Sequence, residues 1–203
     1  MDHNVGADVL GAFPVTGGEL DRLRERLVRA AQDEGLLDVA YRVVDSPLGP
    51  LLLAATARGL VRVGLPAQGH DAVLADLAAT VSPRVLAAPA RLDPVARQLD
   101  EYFARGRRDF DVPLDLPVGP RFRAAVLARL AAIPFGGTAT YSQVAAEVGS
   151  PLAVRAVGSA CAANPVPLVL PCHRVVRADG GCGGYAGGVV AKRWLIDLER
   201  GAA

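Results

Sequence analysis

The residues best equipped for chemistry sit in one short run, Pro171-Cys172-His173-Arg174-Val175, a polar break in an apolar stretch over 168–176. Only a thiolate is a strong nucleophile, and a free cysteine at neutral pH is mostly thiol, so a reactive Cys172 needs a base. His173 is the adjacent candidate. The run reads as a strand, in which neighbouring side chains point to opposite faces. A direct Cys-His dyad is therefore not expected, and the base must act through a turn or a bridging water. The competing reading is that Cys172 is a small buried hydrophobe, the commoner fate of a free thiol. Metal chemistry is not expected. The cysteines (Cys161, Cys172, Cys182) and histidines (His3, His70, His173) show no CxxC or HxxxH spacing that could gather zinc ligands. Three cysteines in 203 residues also argue against a disulfide framework.

A second feature lies just upstream. The helix expected over 152–163 is built of small residues, among them Ala153, Ala156, Gly158, Ser159 and Cys161, with Arg155 as its one long polar side chain. Glycine inside a helix costs roughly 1 kcal/mol against alanine, so Gly158 signals a close backbone approach. Tight helix packing is one explanation. A slim face pressed into a DNA minor groove, only about 6 Å wide, is the other, with Arg155 projecting into the duplex.

The surrounding elements must position these residues. Residues 1–17 show no periodicity, and 19–34 place Leu20, Leu23, Leu27, Val28 and Ala31 on one helical face, ended by Gly35. Runs at 39–45, 50–56 and 60–65, separated by Pro47-Leu48-Gly49 and Ala57-Arg58-Gly59, read as an antiparallel meander. Helices are expected over 71–81 and 93–106, with an edge strand at 110–116 because Pro113 cannot donate to a ladder. Pro117-Val118-Gly119-Pro120 marks a boundary, after which the chain turns helical at 121–133 and 141–148. Gly149 ends the second of these. Ser150 can cap the next helix with Pro151 in its first turn, which makes a helix-turn-helix. A glycine-dense loop at 180–188 and a last helix at 190–200 follow. The expected organisation is an extension (1–38), a small N-terminal α/β domain with an antiparallel sheet (39–117), and a C-terminal winged-helix-like domain (118–203), α+β overall.

Apolar residues make up 51% of the chain, enough to bury a core, and no run is long enough to span a membrane. The first ten residues lack the pattern of a secretory signal, so a cytoplasmic location is expected. Net charge is +1, yet residues 120–203 hold nine basic and four acidic side chains. That asymmetry is either chance or the footprint of a polyanion partner.

The stretch IPFGGTATYSQVAAEVGSPLAVRAVGSACAANPVPLVLPCHRVV, with GGYAGG and KRWLIDLE after it, resembles the O6-alkylguanine-DNA alkyltransferases. The likeness covers about residues 121–200 and extends upstream to SPLGPLLLAA and EYFARGRRDFDVPLDL. It implies that Cys172 accepts the alkyl group, that His173 deprotonates it through a water, and that Glu199 orients His173. By position alone, a glutamate in the last turn of a helix opposes the helix dipole and reads as solvated. The resemblance further implies that Asn164 closes the active-site turn, Tyr141 protonates the leaving guanine, and Arg155 fills the gap left by the flipped nucleotide. Ala153, Gly158 and Ser159 would face DNA. Pro167, Val175, Tyr185 and Ala186 would line the substrate pocket.

No cofactor and no metal are implied, and the partner is double-stranded DNA carrying O6-alkylguanine, met by a monomer. The chain departs from the family pattern at Arg123 and Leu127, where a glutamine and a tryptophan are frequent. Ala186 stands where some members have a serine, and Cys161 lies on the recognition helix. It also lacks the ligands for the structural zinc of animal members. Three alternatives remain. An alkyltransferase-like damage-binding protein without catalysis would lack the acceptor thiol. A transcription regulator would need base-reading side chains on its helix. A cysteine hydrolase would need an oxyanion hole and a histidine in direct contact with the thiol.

Overall fold

A computed structural model describes residues 17–117 and 119–202. The chain divides into two compact units, Met1–Leu37 and Asp38–Ala203. Among the described residues the first contributes one helix, α1 (Gly17–Asp33), closed by Gly35 in the left-handed region at φ 67°. Its Leu20, Leu23 and Leu27 are exposed. The expectation of irregular chain at 1–17 falls outside the described residues, except for Gly17, which opens α1.

The second unit begins with a four-stranded sheet in the order β3-β2-β1-β4. Strands β1 (Val39–Val44), β2 (Leu51–Ala55) and β3 (Leu60–Gly64) pair antiparallel, as apolar runs joined by short turns favour. The fourth, β4 (Val85–Ala87), pairs parallel to β1, so the sheet is mixed rather than purely antiparallel. Strand β2 is buried on both faces. Leu52 and Ala54 join Val73 and Leu77 of α2 (His70–Thr80) in a small cluster. Leu51 and Leu53 enter the main core, which continues through Leu99 and Tyr102 of α3 (Asp93–Phe103) to the C-terminal helices. The segment 110–116 is not a full strand. It meets the outer edge of β3 at one point, where Leu60 N donates to Pro113 O at 2.8 Å and Asp115 N to Leu60 O at 2.9 Å.

The C-terminal half is helical: α4 (Arg121–Ala131), α5 (Tyr141–Glu147), α6 (Val154–Ala162) and α7 (Gly188–Arg200). Between them, β5 (Ala139–Thr140) pairs parallel with β6 (Val175–Val176). Helix α6 packs against α4 and α5, giving the expected helix-turn-helix. Two details differ from expectation. Ser150 does not cap α6 with its side chain. Its carbonyl accepts from Ala153 N at 2.8 Å, Pro151 and Leu152 form the turn, and the helix starts only at Val154. Residues 168–176 are not one strand either. Cys172–Arg174 form a single 3-10 turn, followed by the two residues of β6.

Candidate active site

Cys172 owes its position to the turn that precedes it. Asn164, buried at the end of α6, donates from Nδ2 to Leu170 O at 2.7 Å and accepts from Val166 N at 3.1 Å. These bonds close the loop 164–170 and hold Leu168 in the left-handed region at φ 75°. A non-glycine residue there costs on the order of 1 kcal/mol and persists only where its surroundings enforce it. The chain then enters the 3-10 turn with Cys172 N bonded to Leu170 O at 2.8 Å.

Cys172 is 3% exposed, yet it is not sealed in the interior. It lies on the wall of a cavity of about 490 Å³ that it shares with Tyr141, Tyr185 and Ala186. The opposite wall is the small-residue side of α6, through Arg155, Gly158, Cys161 and Ala162. The volume falls within the range of pockets that hold a small organic ligand. Gly158 makes no close backbone contact. A side-chain carbon placed on it would meet nothing within 4 Å, because this face borders open space. Arg155 and Ser159 are exposed, and Ala153 and Gly158 are half-buried. Pro167 and Val175 do not line the cavity. Both are buried, and Val175 pairs with Ala139 in the β5–β6 ladder.

Behind the thiol lies a buried polar network centred on Glu199. His173 Nε2 bonds Glu199 Oε1 at 2.8 Å and Tyr102 Oη donates to the same oxygen at 2.7 Å. Arg174 grips both oxygens, with Nε at 2.9 Å from Oε2 and Nη2 at 3.0 Å from Oε1. Gly136 N adds a fourth donor group at 3.0 Å from Oε2. Glycine is favoured at 136, because its φ is 75° and a side-chain carbon would crowd Glu199 O at 3.2 Å. The solvated glutamate that helix position alone suggests is therefore replaced by a buried one. Its charge is offset by Arg174, a partner invisible to sequence reasoning because Tyr102, Gly136, Arg174 and Glu199 are far apart in the chain.

Burial pushes the Glu199 carboxyl up, but the bonds from His173 and Arg174 outweigh it and bring it down to about 2. His173 is held below its ordinary value, first by burial, against the attraction of Glu199. Its ring is therefore neutral at neutral pH. An ionised carboxylate can only accept, so Nε2 carries the hydrogen and Nδ1 is a bare acceptor. Nδ1 has no hydrogen-bond partner among the described residues. Burial also pushes the Cys172 thiol up, opposed by the Asn164 side chain and the charge of Lys192. Such a thiol needs a base, and His173 presents an unprotonated nitrogen.

These shifts set an acid limb of stability. Both groups bind fewer protons folded than unfolded, so each contributes stability above its ordinary value and loses it as pH falls. The urea midpoint is expected to drop between about pH 8 and pH 5 as His173 is forced to charge, and to fall further as Glu199 titrates toward about 2. A flat midpoint over that range would exclude a neutral buried His173.

Tyr141 opens α5. Thr140 caps that helix reciprocally with Gln143, accepting from its backbone N–H at 3.1 Å while Gln143 Oε1 accepts from Thr140 N at 2.7 Å. The cap aims the phenol into the cavity. Burial, and then the nearby Cys161 and Cys172, push its hydroxyl up to about 12, so it is protonated at neutral pH.

Comparison with known proteins decides the family. Residues 39–116 match the family model "6-O-methylguanine DNA methyltransferase, ribonuclease-like domain", and 121–201 match the corresponding "DNA binding domain". The chain belongs to this family. It is 39% identical over 171 residues to the methylated-DNA–protein-cysteine methyltransferase of Mycobacterium tuberculosis, covering 81% of this chain and 94% of that one. The Methanosarcina barkeri protein of the same name is 37% identical over 160 residues, covering 78% and 96%. Among solved structures, Mycobacterium tuberculosis OGT in complex with DNA superposes with a TM-score of 0.69 at 36% identity, over 81% of this chain and 94% of that one. The methyltransferase fold expected from sequence, a small sheet domain joined to a helical DNA-binding domain, is thus the one observed.

Within that fold Cys172, Asn164, His173 and Glu199 converge on one side of the cavity, while Tyr141, Tyr185, Ala186, Arg155 and Gly158 surround it. Sequence reasoning missed Arg174, Tyr102 and Lys192. The only available signal was the general rule that a buried carboxylate needs paired charge and donors.

Proposed function

We propose that this methyltransferase repairs DNA by moving the alkyl group of O6-alkylguanine onto Sγ of Cys172, once per molecule. The observation that carries this reading is a thiol on the wall of a cavity large enough to hold a nucleobase, with a buried histidine–carboxylate hydrogen bond behind it and a small-residue helix in front. His173 Nδ1 takes the Cys172 proton through a water. The sulfur attacks the alkyl carbon and an S–C bond forms as the C–O6 bond breaks. Tyr141 gives its proton to the departing guanine, which leaves as the neutral keto base. The product is a thioether with no group positioned to hydrolyse it. Asn164 orders the turn that presents the sulfur, and Tyr185 and Ala186 cover the bound base. Residues 39–117 act as a supporting domain and 118–203 as the reacting one.

The target carbon is hidden in stacked DNA, so the nucleotide must be extruded at a cost of a few kcal/mol. Helix α6 suits the minor groove, with Ala153, Gly158 and Ser159 keeping its face slim. Arg155, exposed and without an ion-pair partner among the described residues, enters the vacated stack. Arg155→Ala is expected to slow repair of duplex DNA by roughly 10–100-fold, about 1–3 kcal/mol, while reaction with the free base changes little. Equal losses on the two substrates would remove the intercalating role.

Three free cysteines fit a reducing compartment, and the protein acts as a cytoplasmic monomer. Among the described residues no helix is long and apolar enough to cross a membrane. Titration with duplex carrying a labelled O6-methyl group tests the reading. One mole of label per mole of protein is expected. Turnover beyond one equivalent, or damage-specific binding with no transfer, would overturn it.

A further inference from the structure

The mouth of the cavity carries a second arginine that the transfer step leaves unused. Arg177 follows β6, lines the cavity and is exposed, as Arg155 is on α6. A tight turn holds it there. Arg177 N donates to Gly181 O at 2.8 Å, and Gly180, at φ 81°, donates from N to Arg177 O at 3.0 Å. Asp179 braces the turn from inside, because its Oδ1 accepts from Gly181 N at 2.9 Å. Its other oxygen, Oδ2, takes Nη2 of Arg177 at 2.9 Å. The two side chains are 63% and 59% exposed, so water screens the pair and it adds little to stability. The turn does not need the guanidinium, since Oδ1 already closes it. The pair instead keeps a cation at the mouth of the cavity on a partner that is readily exchanged.

We propose that Arg177 leaves Asp179 to bind a backbone phosphate next to the extruded nucleotide, and so holds the flipped base in the cavity. This rests on the reading above in which the damaged nucleotide leaves the stack. A nucleotide that rotates about its backbone keeps a phosphate on each side, and both remain at the mouth while the base goes in. The Arg177 guanidinium lies at that mouth. A guanidinium offers two parallel N–H donors to two phosphate oxygens, and such bonds are stronger than the single exposed contact that they replace. Asp179 meets a phosphate with like charge, so its pair with Arg177 favours the free protein over the complex. Arg155 and Arg177 then divide the work. The first fills the vacancy in the duplex, and the second anchors the strand that has moved. The exchange involves no proton transfer and no covalent change.

Duplexes carrying O6-methylguanine, with a phosphodiester or an uncharged methylphosphonate at each flanking position, test this on Arg177→Gln and Asp179→Asn. Asparagine keeps the Oδ1 acceptor of the turn and removes only the charge. Arg177→Gln is expected to weaken binding of the methylated duplex roughly 5–20-fold and to lower the slope of log affinity against log salt by about one. Undamaged duplex should lose less, because no phosphate has moved. The rate with free O6-methylguanine base should stay at the wild-type value. Arg177→Lys, a point charge without the fork, should recover part of the affinity. Asp179→Asn should bind as tightly as wild type or more so. Neutralising the contacted phosphate should weaken the wild-type complex and leave Arg177→Gln unchanged, the coupling expected of groups in contact. Equal losses for Arg177→Gln and Asp179→Asn would mean that the pair only braces the turn. Equal losses on damaged and undamaged duplex, wild-type affinity for Arg177→Gln, or additive effects of that variant with both methylphosphonates would also overturn the assignment. A wild-type protein that binds the damaged duplex without methylating Cys172 would instead remove the transfer reading, while the binding measurements still decide the role of Arg177.

Discussion

Cys172→Ala is expected to abolish alkyl transfer and to leave binding of duplex DNA close to wild type. The loss should be on the order of 10⁶-fold, the scale set by deleting a catalytic nucleophile, and in practice below detection. Nothing else near the cavity can substitute. Cys161 shares the wall, but its thiol is pushed up to about 12, first by burial and then by Cys172. Cys161 also lies in α6, on another element from His173. Binding should survive because the residues proposed to face DNA are on a different element, α6, and Cys172 itself is only 3% exposed. The fold should survive too. Removing one buried sulfur leaves only a small void, at a cost of about 1 kcal/mol. Filter binding and single-turnover transfer, measured on the same preparation, separate the two effects. A variant that loses both together would mean that Cys172 holds the structure rather than the chemistry.

Glu199→Ala should have the largest effect on stability. The carboxylate accepts from His173, Tyr102, Arg174 and Gly136, all within 3.0 Å by their shortest bonds. Deleting it strands the Arg174 guanidinium, itself 4% exposed, without its counter-charge, and leaves Tyr102 Oη unpaired in the core. Breaking a buried ion pair from one side costs about 3–5 kcal/mol. That is a large share of the ~5–15 kcal/mol that holds a domain folded, and it should lower the melting temperature by roughly 10 °C. Glu199→Gln separates structure from chemistry. It fills the same space but no longer fixes the hydrogen on Nε2 of His173. Transfer should then fall by about 10²–10⁴-fold with a smaller loss of stability. An unchanged melting temperature for Glu199→Ala would mean that the network contributes nothing to the fold.

Much of this was legible in the chain because it is local. The β1–β3 meander follows from short apolar runs and from Gly49 and Gly59 in its turns, and α3, α4 and α7 follow from apolar spacing. Strand β4 was not legible. It is three residues long, lies between Pro83 and Pro89, and forms only by parallel pairing with a strand more than 40 positions away. The apolar run over 168–176 carries the composition of a strand. It becomes a loop and a 3-10 turn because Asn164 captures Leu170 O and Leu168 takes a left-handed conformation, both tertiary effects. The cap of α6 was misread because Pro151 suits a first helical turn as well as the turn before a helix. The burial of Glu199 and the existence of Lys192 as an unpaired charge depend on residues brought together from α3, α5, α7, the 3-10 turn at Cys172–Arg174 and the loops that carry Gly136 and Gly184. No window of sequence contains them.

Peptide mapping by mass after one equivalent of O6-methylguanine duplex tests the central claim most directly. The peptide carrying Cys172 should gain the mass of one methylene in equimolar yield, with the guanine restored in the DNA strand. An unmodified Cys172 peptide, or the added mass on His173, Cys161 or Cys182, would contradict it.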